Sequence, residues 1–143
     1  MKKIDHFPLI EIYGNPLCRG LQYGEQARER IAASIDLYSR SLRDLSLGKS
    51  EILDLANNFI PKITDWAPDL MDEMKGIAKG ASVSLSEIML INARTEILQL
   101  AERGVNFIDN HSDGCTGAII MPKISASGEI IHGQNWDWSE ECI

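Results

Sequence analysis

A cysteine that opens a predicted strand and follows a glycine is the residue of this sequence best suited to chemistry. The segment is Asp113-Gly114-Cys115-Thr116. The Cys115 thiol can attack the Gly114 carbonyl to give a thioester that water opens, and glycine leaves that carbonyl unshielded. Cleavage would give Cys115 a free α-amine, whose unperturbed pKa of about 7.7 to 8.0 lets a neutral fraction accept the thiol proton. One residue would then supply both nucleophile and base.

The residues around this cysteine decide its interpretation, because an isolated cysteine is more often a small, inert core residue. Further along the chain lies GQNWDW, residues 133–138. Strand alternation predicts that Asn135 and Asp137 share one face and that the two tryptophans lie on the other. Taken alone, Asn135 and Asp137 are equally explained as side chains that satisfy the amides of a turn or loop.

Together, DGCT and GQNWDW resemble the acyl-coenzyme A:6-aminopenicillanic acid acyltransferase family, a branch of the N-terminal-nucleophile hydrolases related to bile-salt hydrolases and acid-ceramidase-like amidases. The resemblance extends to RGLQYGEQARERI in the first predicted helix and to INARTEI at 91–97, so it covers nearly the whole chain. It implies a precursor that cuts itself between Gly114 and Cys115 and then forms an acyl-enzyme on Cys115. Residues 1–114 would be a helical N-terminal fragment, and residues 115–143 the start of the nucleophile-bearing fragment.

The resemblance also implies roles for individual residues. Cys115 matches the family nucleophile, and Asp137 matches the aspartate that contacts the nucleophile's amine or positions the substrate, with Asn135 beside it in the motif. Arg94 or Glu96 would help to line the cleft at the junction of helix and sheet, although a structural salt bridge explains them nearly as well. The acyl donor would be a small molecule, either an acyl-coenzyme A or an N-acyl amide.

Helices must carry the first two thirds of the chain, because apolar and small residues recur there at three- and four-residue steps. The spacing predicts a long helix over 21–45 and a second helix that is capped by Ser50 and interrupted by Pro61. A third helix should begin at Pro68 and end near Gly80. A fourth should run from the capping box at Ser84 to about residue 102.

Strands are predicted at both ends of the sequence. Weak alternation over residues 8–13 favours a short strand. After residue 113 the pattern becomes strand-like and indicates a β-hairpin around Ser127-Gly128. The fold class is therefore α+β, a helical region followed by a hairpin.

The resemblance implies that this hairpin belongs to an incomplete portion of a four-layer αββα sandwich, because the family's further strands would follow Ile143. We expect a truncated precursor that is uncut and inactive alone. The exposed edges of its hairpin could pair with a second copy of the chain.

Composition restricts the partners. The 143 residues carry a formal charge of -7, so no broad basic surface exists to bind nucleic acid. No segment reaches the length of a membrane span.

The three cysteines form no C-x-x-C pair, which favours a reducing compartment and predicts a cytoplasmic protein. No grouping of His, Cys and Asp has the spacing of a metal site, and we expect neither a metal nor a cofactor.

Two other functions remain open at this stage. Residues 17–102 could form a helical protein-interaction module in which the cysteine is incidental. Alternatively, the protein could be a plain N-acyl amidase. Acyl transfer and hydrolysis share one acyl-enzyme and differ only in whether an amine or water arrives second.

Overall fold

A computed structural model of the chain describes residues 8–45, 47–102 and 115–135. The chain forms two compact units, residues 1–107 and 108–143. The described part of the first unit contains helices α1 (Pro16–Gln26), α2 (Arg28–Asp44), α3 (Lys49–Asn57), α4 (Ile60–Trp66), α5 (Pro68–Ala81), α6 (Leu85–Asn92) and α7 (Arg94–Glu102). The described part of the second unit contains strands β1 (Thr116–Ile120) and β2 (Ile131–Asn135). The predicted α+β class is confirmed.

Four glycines bring the backbones of α1 and α5 into direct contact. Gly20 and Gly24 on α1 face α5, whereas Gly76 and Gly80 on α5 face α1. A Cβ atom built on any of the four would overlap a backbone carbonyl oxygen of the opposite helix, as with the Glu73 oxygen beside Gly20. The two helices therefore approach more closely than any side chain at these positions would allow.

The core of the helical unit lies among α2, α3, α5, α6 and α7. Its largest fully buried side chains are aliphatic or methionine: Leu42, Ile52, Met71, Ile88, Met89, Leu90 and Ile97. Complete burial of a side chain of this size contributes about 1.5 to 3 kcal/mol. Since these residues come from five helices, one shared core holds the five helices together.

Two predicted helices are each divided into two, which corrects the boundaries expected over 21–45 and 84–102. Ala27 separates α1 from α2 with φ -102° and ψ 11°, and Ala93 separates α6 from α7 with φ -104° and ψ 20°. Each alanine amide still donates to the carbonyl four residues earlier, at 2.8 Å in both cases. Both alanines are buried, so the apolar periodicity continues through each interruption and conceals it.

Ser50 does not cap the second predicted helix, and Pro61 does not lie inside it. Ser50 lies inside α3, and the cap is Gly48, whose amide donates to a Glu51 carboxylate oxygen at 2.7 Å. Pro61 is the second residue of a separate short helix, α4. Proline is tolerated there because first-turn amides have no acceptor within the helix.

The boundaries of the next two helices are predicted better. Pro68 begins α5, as expected. The helix ends at Ala81 rather than at Gly80, and Ser82 adopts the left-handed conformation with φ 61°. The capping box that starts α6 is confirmed, since Ser84 and Glu87 bond each other's backbone amides at 2.8 and 3.2 Å.

The strand predicted over residues 8–13 is wrong. This segment is extended but pairs with no strand among the described residues. Instead, the Gln22 side chain donates to the Tyr13 carbonyl at 2.9 Å and accepts from the Tyr13 amide at 3.0 Å. Gln26 donates to the Glu11 carbonyl at 3.0 Å. Side-chain amides of α1 thus satisfy backbone groups that another strand would otherwise bond.

The predicted hairpin is confirmed. β1 and β2 pair antiparallel from Thr116 opposite Asn135 to Ile120 opposite Ile131. In the connection between them, Gly128 has φ 73°, and its amide donates to the Ser125 carbonyl at 3.1 Å. Glycine suits this position because a Cβ atom is disfavoured at positive φ.

We predict that Gly20→Ala lowers the free energy of unfolding by at least about 2 kcal/mol, because the new methyl group must force α1 and α5 apart. Urea unfolding followed by circular dichroism measures the change. Gly48→Ala is the control: its φ is -71°, and the nearest atom to its Cβ is a mobile carboxylate oxygen at 3.1 Å. It should change stability by less than about 0.5 kcal/mol. Equal stability of the two variants would contradict the close packing of the helices.

Candidate functional site

Cys115 lies directly before the first residue of β1 and is exposed. Its position outside the paired strand leaves its thiol accessible to solvent and its backbone free of the hairpin ladder. Cys18, in the first turn of α1, is also exposed and free. Two other predicted site residues, Gly114 and Asp137, lie outside the described residues.

Asn135 is the last residue of β2 and pairs with Thr116. Cys115 and Asn135 therefore lie at the same end of the hairpin. Because directly paired residues share a face, Asn135 lies on the face of Thr116. The alternation of β1, continued back by one residue, assigns Cys115 to the opposite face. The structure thus brings the two residues to one end of the hairpin but not to one face.

Two residues of β2 that received no catalytic role from the sequence share the face assigned to Cys115. Gln134 pairs with Gly117, and His132 pairs with Ile119. The His132 Nε2 atom lies 4.0 Å from the position that a Cβ atom on Gly117 would occupy. Since Gly117 has no side chain, the imidazole extends over it along the hairpin in the direction of Cys115. Their pairing register, which sequence spacing alone left open, is the signal that identifies these neighbours.

Arg94 is the first residue of α7, and its side chain joins this helix to the core. Its guanidinium lies over the Tyr38 ring, 5.4 Å from the ring centroid. Its Nη1 atom donates to the Ile91 carbonyl at 3.1 Å. Tyr38 is buried, so this cation–π contact joins α7 to α2 inside the helical unit. These contacts give Arg94 a structural role.

Glu96 points elsewhere, as expected for two helical residues that are two positions apart. It is exposed and lines a groove of about 410 Å³ between α4, α5, α6 and α7. Most of the groove is apolar, and its apolar residues are Phe59, Ile63, Trp66, Leu70, Met74, Ile77, Met89 and Ala93. Of Arg94 and Glu96, Glu96 therefore lines this groove and Arg94 does not.

Two arginines of the segment RGLQYGEQARERI, which runs from α1 into α2, bond to α5. Arg19 donates two hydrogen bonds to one Glu73 carboxylate oxygen of α5, at 2.7 and 3.1 Å. Arg28 donates to the Gly80 carbonyl at 2.8 Å, near the end of α5 where backbone acceptors lack partners within the helix. Both contacts join the α1–α2 segment to α5.

Within the three described ranges, no group of three or more His, Cys, Asp and Glu residues could hold a metal ion. No helix in those ranges combines the length and apolar character needed to cross a membrane.

Comparison with known proteins supports a relationship to acyltransferases. No family model matches the chain. Over 131 residues it is 30% identical to the acyl-coenzyme A:6-aminopenicillanic-acid-acyltransferase 40 kDa form of Emericella nidulans. The chain is related to this acyltransferase. The alignment covers 90% of the chain but 33% of the relative, so the chain spans about one third of the length of the curated relative it matches.

We predict that Arg94→Ala lowers the free energy of unfolding by about 1 to 2 kcal/mol, because it removes a cation–π contact and a hydrogen bond. Glu96→Gln should change it by less than about 0.5 kcal/mol, because Glu96 is exposed. Urea unfolding of both variants tests the assignment. If Arg94→Ala kept full stability, the structural role of this arginine would be wrong.

Proposed function

We propose that this chain belongs to a cysteine N-terminal-nucleophile enzyme that transfers or hydrolyses acyl groups through an acyl-enzyme on Cys115. The observation that carries the proposal is the exposed thiol of Cys115, one residue before β1, in a chain related over 131 residues to an acyl-coenzyme A:6-aminopenicillanic-acid-acyltransferase. A nucleophile created by chain cleavage needs this position, because it must become the first residue of a new chain while staying attached to a folded element.

Self-cleavage comes first in this mechanism. The Cys115 sulfur attacks the Gly114 carbonyl carbon, and a bond forms between them as the peptide C–N bond breaks. The Cys115 nitrogen takes up a proton, and water then opens the thioester to leave a Gly114 carboxylate and a free thiol. The break lies outside the strand ladder, so all five residue pairs from Thr116–Asn135 to Ile120–Ile131 can survive it.

Acyl transfer follows on the processed chain. The new α-amine of Cys115 accepts the thiol proton, directly or through water, as the sulfur attacks the carbonyl carbon of the acyl donor. The bond from that carbon to the donor's sulfur or nitrogen then breaks, and the departing thiol or amine takes up the proton. In our proposal Asp137 holds the protonated amine by a charge-assisted hydrogen bond. Asn135, at the same end of the hairpin as Cys115, presents an amide group that can bond the substrate or the backbone near the nucleophile.

The substrate class follows from this chemistry. An acyl-coenzyme A or an N-acyl amide delivers the acyl group, and an amine or water then removes it from the sulfur. The name of the relative favours an acyl-coenzyme A donor and an amine acceptor.

We also propose a cytoplasmic location, since Cys18 and Cys115 are free thiols.

Every residue of β1 and β2 is exposed, which is compatible with pairing of the hairpin edges to a second copy. The self-cleaving form is in this view a zymogen.

Replacement of the nucleophile tests the mechanism in the full-length protein. Cys115→Ala should abolish both self-cleavage and acyl turnover, because no other group of the mechanism can form the thioester. Cys18→Ala, which removes the other exposed thiol of the described residues, should leave both intact. Intact-mass spectrometry detects a fragment that begins at Cys115, and continued cleavage at this bond in Cys115→Ala would overturn the proposal.

A second measurement separates acyl transfer from hydrolysis. With an acyl-coenzyme A as donor, we expect a primary amine to increase thiol release and to appear as an N-acyl product, since the amine captures the acyl group from Cys115. Mass spectrometry of the products shows whether this occurs. Formation of the free carboxylic acid alone, at a rate that the amine leaves unchanged, would show hydrolysis in place of acyl transfer.

A further inference from the structure

The groove that Glu96 lines has the features of a small-molecule binding site. Its floor is formed by Met74, Met89 and Ala93, which are at least nine-tenths buried. Its rim carries Trp66 and Leu70, which are 78% and 52% exposed. A volume of about 410 Å³ falls within the range of cavities that hold one small organic ligand. The groove thus offers an apolar floor that solvent can reach past an exposed indole.

The charged side chains that line this groove are carboxylates. Among the described residues its lining includes Glu73 and Glu96 and no lysine, arginine or histidine. Glu73 is already neutralised by Arg19 at 2.7 Å. Glu96, by contrast, forms neither a hydrogen bond nor an ion pair within the described part of the chain. One carboxylate therefore remains to attract a cation.

The aromatic rings of the groove reinforce this preference. Lys62 already holds its ammonium over the Phe59 ring, 5.7 Å from the centroid, so one groove ring accepts a cation within the protein itself. Trp66 presents a larger π face, and indole is the strongest aromatic partner for an ammonium group. A ligand ammonium near Glu96 and Trp66 would meet both attractions.

We propose that this groove binds an amphipathic organic cation, a protonated primary amine that carries an apolar body. The apolar body contacts the floor at Met74, Met89 and Ala93, and the ammonium group lies between Glu96 and Trp66. The site lies wholly in the helical unit, so it does not depend on the chemistry of Cys115.

Three ligands with one apolar body test the proposal: 4-phenylbutylammonium, 4-phenylbutanol and 4-phenylbutyrate. Isothermal titration calorimetry with the full-length protein should show the ammonium binding about five- to ten-fold more tightly than the alcohol, since it adds an exposed ion pair and a cation–π contact. The carboxylate should bind more weakly than the alcohol. Equal affinity for all three, no binding of the ammonium, or binding of a protein partner in place of these ligands would overturn the proposal.

Variants at the groove identify the groups responsible. Glu96→Gln should reduce the preference for the ammonium over the alcohol to what the cation–π contact supplies, and Trp66→Ala should weaken ammonium binding about two- to five-fold. Glu29→Gln removes the same charge from an exposed residue of α2 that does not line the groove, and it should have no effect. Equal effects of Glu96→Gln and Glu29→Gln would exclude the site. Cys115→Ala should bind 4-phenylbutylammonium normally, so a failure of the acyltransferase mechanism can be distinguished from a failure of this inference.

Discussion

The contact between the backbones of α1 and α5 is the constraint on which the helical unit depends. Gly20, Gly24, Gly76 and Gly80 leave no room for a side chain between the two helices. The Arg19–Glu73 ion pair depends on this close approach, because it joins the same two helices. Because α5 also contributes Met71 and Met74 to the core, the packing of α1 is coupled to the helices on the far side of α5.

Sequence periodicity predicted the types of the elements well and their boundaries less well. The hairpin, the capping box at Ser84 and the start of α5 at Pro68 follow from local rules, and the structure contains all three. Ala27 and Ala93 could not be recognised as helix breaks, because alanine is a good helix former and both lie on the buried stripe. Residues 8–13 have a strand-like pattern, yet the partner that would make them a strand is replaced by glutamine side chains.

In the candidate site, too, the sequence named the residues, whereas their positions relative to one another depend on contacts between distant parts of the chain. The resemblance named Cys115 and Asn135 as site residues, and the pairing of Thr116 with Asn135 brings them to one end of the hairpin. The assignment of each to a face required the register, which is a property of two strands. Arg94 and Glu96 were indistinguishable as candidates until packing showed that one contacts Tyr38 while the other lines a groove.

The glutamine contacts at residues 11–13 have a consequence for association between molecules. An extended segment with unpaired amides and carbonyls is a common template for unwanted strand addition. Here the amide groups of Gln22 and Gln26 occupy the Tyr13 backbone and the Glu11 carbonyl. An incoming strand would first have to displace these side chains from α1, so this stretch is protected from aggregation by its own neighbouring helix.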